Sequence, residues 1–93
     1  MTTTLHIEHA VTDLATWRTA FDRFGELRAA AGVTTHRILR PIDDDHYVVV
    51  QLDFDESTRA TDFLQVLRTQ IWSNPSASPA LEGAPRATLL EPI

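Results

Sequence analysis

The chain contains no cysteine and no lysine. The first absence excludes disulfides, thiolate metal centres and thiol nucleophiles, and nothing points to an oxidising compartment. The second places all eight positive charges on arginine, against thirteen Asp and Glu, for a net charge of −5. A chain of that sign is a poor partner for nucleic acid, which needs clustered cations to displace counterions from its phosphates. Glycine is scarce, with three residues in 93, and no G-x-G-x-x-G, P-loop or serine elbow occurs. No apolar run approaches membrane-spanning length, and the start, Met1-Thr2-Thr3-Thr4-Leu5-His6, lacks the basic and apolar regions of a signal peptide. The expectation is a cytoplasmic protein with no membrane partner.

What is present is a globular composition, 43% hydrophobic and 23% charged, over a length that predicts a single domain, residues 1–93. A domain this small buries only about 60–65% of its unfolded surface, so an apolar face left open would seek a partner.

Alternation from Thr4 to Val11 predicts a first strand, with Leu5, Ile7, His9 and Val11 on one side and His6 and Glu8 on the other. Thr12 or Asp13 offers an N-cap for one helix running to Ala31 and leaving at Gly32. Its apolar stripe is Leu14, Trp17, Ala20, Phe21, Phe24, Leu27 and Ala31. Val33–Ile42 and Asp45–Phe54 read as a hairpin around Asp43-Asp44, and a symmetric turn would set Arg37 against Val50, Ile38 against Val49 and His36 against Gln51. A bulge would break that register. Asp55 to about Ser73 reads as a second helix, capped at Asp55 or Ser57, with Ala60, Phe63, Leu64, Leu67 and Ile71 in its stripe and Trp72 to one side. Asn74 to Pro85, with three prolines and a glycine, reads as loop, and Arg86–Leu90 as the last strand.

The order βαββαβ, with both helices on one face of an antiparallel sheet, is a ferredoxin-like α+β fold. In the symmetric register the other sheet face carries His6, Glu8, His36, Ile38, Arg40, Tyr47, Val49 and Gln51, too apolar to be indifferent to water and too polar for a dry core. Such a face suits a second copy of the same sheet in a two-fold dimer.

The pattern His9-x-Val11-x-Asp13-x3-Trp17-Arg18-x2-Phe21-Asp22, followed by Leu27-Arg28-x3-Gly32-Val33 and Arg37-x2-Arg40, resembles the dimeric α+β-barrel superfamily, in its antibiotic-biosynthesis-monooxygenase-like and small cyclase-like branch. The resemblance implies a homodimer whose two sheets form a barrel, with a pocket between sheet and helices in each subunit. It also implies a choice of roles: binding of a small aromatic or polyketide-like ligand without catalysis, or cofactor-independent monooxygenase or cyclase chemistry on such a substrate. The haem-degrading branch takes its iron ligand from a histidine on the second helix, and Glu56–Asn74 contains none. No cofactor is expected.

Trp17, Arg28, Tyr47, His9 and Asn74 are residue types that could serve such a site. His9, at the end of strand one, is a candidate base, or a histidine tied down at the strand-to-helix corner. Arg28, in the apolar stripe of helix one, is a candidate catalytic clamp for an enolate or carboxylate, or a snorkelling side chain in the last turn. The symmetric register puts Arg37 inward as well, where it reaches a buried acidic group or a ligand, unless a bulge turns it outward. Trp17, Phe21 and Phe63 are candidate stacking walls, or core. Trp72 is a candidate pocket lid or interface residue. His6, Glu8 and His36 would form a metal-ligand set if one sheet face gathered them, but the spacing lacks a compact motif, and no metal site is expected. Asp43, Asp44 and Asp45 lack the glycine and distant glutamate of a calcium loop and read as a solvated hairpin tip.

Overall fold

A computed structural model describes residues 2–93. Four strands, β1 (Thr3–Val11), β2 (Val33–Leu39), β3 (Tyr47–Phe54) and β4 (Leu81–Leu90), form one antiparallel sheet in the order β2-β3-β1-β4. Helices α1 (Leu14–Arg23), α2 (Gly25–Ala31) and α3 (Ser57–Val66) join them, and α3 runs on into a π-helical turn, Leu67–Ile71. This is the ferredoxin-like α+β fold.

The core follows from alternation. Leu5, Ile7, His9 and Val11 of β1 and Val48, Val50, Leu52 and Phe54 of β3 are all buried on one sheet face, where Trp17, Ala20, Ala60, Phe63 and Leu64 cover them. β1 and β3 are the two central strands, so their apolar rows are flanked on both sides and take most of the burial.

Helix one is interrupted. Asp13 caps α1 by accepting the Thr16 N–H at 2.9 Å, but Phe24 leaves helical geometry and α2 begins at Gly25. Glycine is among the weakest helix formers after proline, and the break sits beside it. Gly32, at φ 99°, ends α2 in the left-handed conformation that a Cβ would penalise. Helix α3 begins at Ser57 with Glu56 in the N-cap position, where neither Asp55 nor Ser57 acts as the expected cap.

The hairpin differs in register. The β2–β3 pairing slips between Val33 and Thr35, after which His36 faces Leu52, Arg37 faces Gln51, Ile38 faces Val50 and Leu39 faces Val49. Against the symmetric pairing this is a shift of one residue, and one residue exchanges the faces of a whole strand. Ile38 and His36 therefore belong to the helix-covered side, and Arg37 and Leu39 to the open side. The connection is also longer than a two-residue turn, running from Arg40 to His46, with Arg40 and Asp45 ion-paired across it at 2.8 Å.

The last strand starts at Leu81, five residues before the expected Arg86. Gly83 and Pro85 are tolerated there because β4 is an edge strand, where ladder hydrogen bonds can be missed. No helix among the described residues is long and apolar enough to cross a membrane.

Candidate functional site

The helix-covered face of the sheet does not close completely against the helices. Between β1, β3, α1, α2, α3 and the π-helical turn lies a cavity of about 80 Å3, bordered by Ile7, His9, Trp17, Phe21, Arg28 and Phe63, with Trp72, Ala77 and Ser78 on the side of the Pro-rich loop. Six of the sequence candidates, His9, Trp17, Phe21, Arg28, Phe63 and Trp72, thus line one space. Arg37 does not, because the bulge turns it to the other face of the sheet, where it is exposed. Its guanidinium cannot act as a clamp in this cavity.

His9 takes its position from the regular alternation of β1, which sets it with Leu5, Ile7 and Val11 on the helix-covered face. The β1–β4 register is broken between Glu8 and Ala10, so His9 pairs with Val48 on one side but has no β4 partner on the other. The extra residues of this bulge lie on β4, between Glu82 and Arg86, and leave β1 itself regular. The imidazole is 6% exposed, and its Nδ1 lies 2.9 Å from the Ala10 carbonyl. A carbonyl can only accept, so Nδ1 carries the proton and the neutral ring keeps its lone pair on Nε2. Burial holds the pKa below the ordinary histidine value, and the hydrogen bond to Ala10 opposes this only in part. The ring is therefore a neutral acceptor at physiological pH.

A continuous aromatic wall runs from His9. Trp17 meets it edge-on at 6.1 Å, Phe21 stacks on Trp17 at 5.1 Å with the planes 29° apart, and the Arg28 guanidinium lies 3.6 Å from the Phe21 ring centre. The helical spacing of Trp17 and Phe21, four apart, makes the stack. Arg28 is brought onto it by the break at Phe24, which lets the guanidinium reach back to the Phe21 carbonyl at 2.6 Å. His36, placed on this side by the bulge, adds a tilted contact to Phe21 at 5.6 Å.

The open sheet face carries a separate polar chain. Tyr47 donates to Glu8 at 2.7 Å, His6 Nε2 lies 2.9 Å from Glu8, and Gln51 lies 3.3 Å from the other nitrogen of His6. The Tyr47 bond is the main cause that holds the Glu8 carboxyl below its ordinary value, and the same bond raises the tyrosine. His36 is on the opposite side, so the set His6, Glu8 and His36 is not assembled, and no group of three metal-binding side chains occurs among the described residues. Tyr47 is thereby remote from the cavity, and Asn74 is exposed and spends its side-chain oxygen on the Ser76 N–H at 3.0 Å.

The residues missed by sequence reading are those of the Pro-rich loop. Ala77, Ser78 and Pro79 border the cavity although nothing in their composition marks them. Ser78 fixes the loop by donating to the Ile71 carbonyl at 2.8 Å. A second, shallower groove of about 760 Å3 lies on the far side of Trp17, between the start of α1 and the hairpin, and is lined by Asp13, Arg18, Ile38, Arg40 and His46. It is open to solvent; Arg40 pairs there with Asp45, while Arg18 pairs with Asp22 outside the groove.

No family model and no curated protein matches the chain. Solved structures do. SnoaB, a cofactor-independent oxygenase from Streptomyces nogalater, superposes with a TM-score of 0.75 at 20% identity, covering 99% of this chain and 93% of that one. A Bordetella bronchiseptica protein described as a candidate antibiotic biosynthesis monooxygenase gives 0.80 at 14% identity, covering 99% and 97%. The fold is that of the antibiotic-biosynthesis-monooxygenase-like proteins. A dimeric ferredoxin-like protein from an uncultured marine organism shares it too, with a TM-score of 0.66 at 11% identity over 99% of this chain and 90% of that one. At these identities the likeness is one of fold alone.

Proposed function

We propose that the chain is a homodimeric α+β barrel that binds a small aromatic compound in the cavity beside His9. The observation that carries this is the seat of His9: a buried, neutral imidazole with its Nδ1 proton fixed on Ala10 and its lone pair available, at the end of an aromatic stack. Flat aromatic walls favour a flat aromatic ligand, and a lone acceptor among them favours one that brings a hydroxyl. The volume, about 80 Å3, is well below the ~300–1,000 Å3 of sites that enclose a drug-sized molecule, so one ring would sit inside and the rest against half-buried Trp72.

The seat of His9 also favours a catalytic reading, cofactor-independent oxygenation. His9 Nε2 would take the phenolic proton, and the electron-rich phenolate would itself reduce O2. One oxygen atom joins a ring carbon and the other leaves as water, so phenol and O2 become quinone and water with no added reductant. The protein then need only bind, orient and deprotonate. That SnoaB, with the same fold, is a cofactor-independent oxygenase lends this reading support.

The dimer reading rests on the open face. Leu39 and Leu90 are more than a third exposed there, and Val49 and the hydrogen-bonded chain of Tyr47, Glu8, His6 and Gln51 are half-buried without any covering element. A second copy would cover this surface isologously.

The test is aerobic incubation with 1-naphthol and no cofactor, following naphthoquinone formation and O2 uptake beside a binding measurement. The oxygenase reading expects turnover that falls by about 10²–10⁴ in His9→Gln while the ligand still binds. Binding without turnover would leave a binding protein and remove the oxygenase.

A further inference from the structure

Arg28 is 9% exposed, and no carboxylate lies within ion-pair distance of it among the described residues. The arginines that do pair with carboxylates are Arg18, Arg40 and Arg59, each on the surface. Arg28 has instead one carbonyl, that of Phe21 at 2.6 Å, and one ring face, that of Phe21 at 3.6 Å. A guanidinium has five N–H donors in a planar fork, of which this geometry uses one. Asp22, the acidic neighbour whose field reaches Arg28, is tied to Arg18 at 3.3 Å.

The cavity that Arg28 borders has no other charged wall. Its remaining lining is aromatic, aliphatic or small, with neutral His9 and Ser78 as its other polar side chains and no Asp or Glu. A ligand in contact with this wall therefore meets a single positive charge, already stripped of much of its water, with donors to spare. An anionic oxygen would restore what burial removed, a neutral amide would restore part of it, and an ammonium would be repelled.

We infer that Arg28 is an anion subsite, and that the cavity selects aromatic ligands bearing one anionic oxygen, a carboxylate or a phenolate, over neutral and cationic analogues of the same shape. This rests on the aromatic-ligand reading and specifies the ligand's charge. Phe21 holds the guanidinium plane in place from one side, leaving its edge for the ligand. Gly25, whose missing Cβ would lie 3.8 Å from the Arg28 Nη2, keeps the approach to that nitrogen uncrowded.

The experiment is an NMR titration of the whole protein, read at the indole N–H signals of Trp17 and Trp72, with three naphthalene probes: 2-naphthoate, 2-naphthamide and 2-naphthylmethylammonium. Charge-assisted hydrogen bonding predicts that naphthoate binds about 10- to 100-fold more tightly than the amide and that the ammonium is weakest. Arg28→Gln should bring acid and amide to equal affinity, while Arg28→Lys keeps part of the preference. A fourth probe, 2-naphthol, separates the two oxygen sources: tightening as its own hydroxyl ionises shows that phenolates are taken, and no tightening beside strong naphthoate binding restricts the site to carboxylates. Equal binding of acid and amide by the unaltered protein would overturn the inference and leave the aromatic reading standing. That comparison needs no variant, so a poorly folding Arg28→Gln does not block it. Indole signals unmoved by all four probes would defeat the aromatic-ligand reading and this inference together.

Discussion

His9 illustrates how one side chain couples the site to stability. Its folded pKa lies below the unfolded value because burial disfavours the imidazolium. Above the ordinary histidine value, about 6.5, both states are neutral and the group contributes no pH dependence. As pH falls below that value the unfolded chain takes up the proton first, so stability drops with decreasing pH, by up to ~1.4 kcal/mol per unit, and levels off once the folded pKa is passed. Thermal midpoints recorded from pH 8 to 5 should therefore decline on the acid side, and His9→Gln should flatten part of that decline. An unchanged slope in the variant would show that the ring is freely protonated where it sits. Trp17 carries a different load. It is 9% exposed and forms the wall between the cavity and the outer groove. Trp17→Ala should cost about 3 kcal/mol, the low end for such truncations because one side of the ring already borders empty space. Denaturant unfolding would read it, and a cost near zero would mean that the indole is not packed as described.

At the scale of the element, Gly32 is the most exacting position. A Cβ there would meet the Arg59 side chain at 2.9 Å, and the φ of 99° is strained for any residue with a side chain. Gly32→Ala should destabilise by about 1–2 kcal/mol, readable as a lowered urea midpoint with an unchanged slope. Strand β2 is where sequence and structure part. The order of elements, the stripes of α1 and α3 and the buried rows of β1 and β3 were all legible, because apolar periodicity is strong in each of them. The register of β2 was not, because it depends on a bulge near Thr34 that no residue announces and that exchanges Arg37 for His36 on the helix side. The alternation of β2 held a hint, since Ile38 is apolar and Arg37 is not, but one apolar residue is weak evidence for a face. The break at Phe24 had its signal in Gly25. The cavity's loop wall had none, since Ala77 and Ser78 take their place through turns closed by local hydrogen bonds around Asn74 and Ile71.

The whole molecule presents one face that folding of a single chain leaves half-finished. Its polar groups are bonded laterally to each other, Thr4 and Thr35 to Asp53 at 2.6 and 2.7 Å and Tyr47 and His6 to Glu8, which lets the face be covered without stranding them. If a second copy covers it, the native mass should be twice that of the chain, and Val49→Lys, in the middle of the face opposite Glu8 and Leu39, should return it to the single-chain mass with its circular dichroism intact. A native protein of single-chain mass at micromolar concentration would remove the barrel from the account while leaving the fold and its cavity in place.

The claim on which the rest depends is that an aromatic ligand lies against the stack between His9 and Arg28. Intermolecular NOEs between isotope-labelled protein and unlabelled 2-naphthoate test it most directly. The account predicts contacts from the ligand ring to Ile7, Phe21, Phe63 and Trp72. NOEs confined to Ile38 and Leu14 of the outer groove, or to Val49 and Leu39 of the open sheet face, would contradict it.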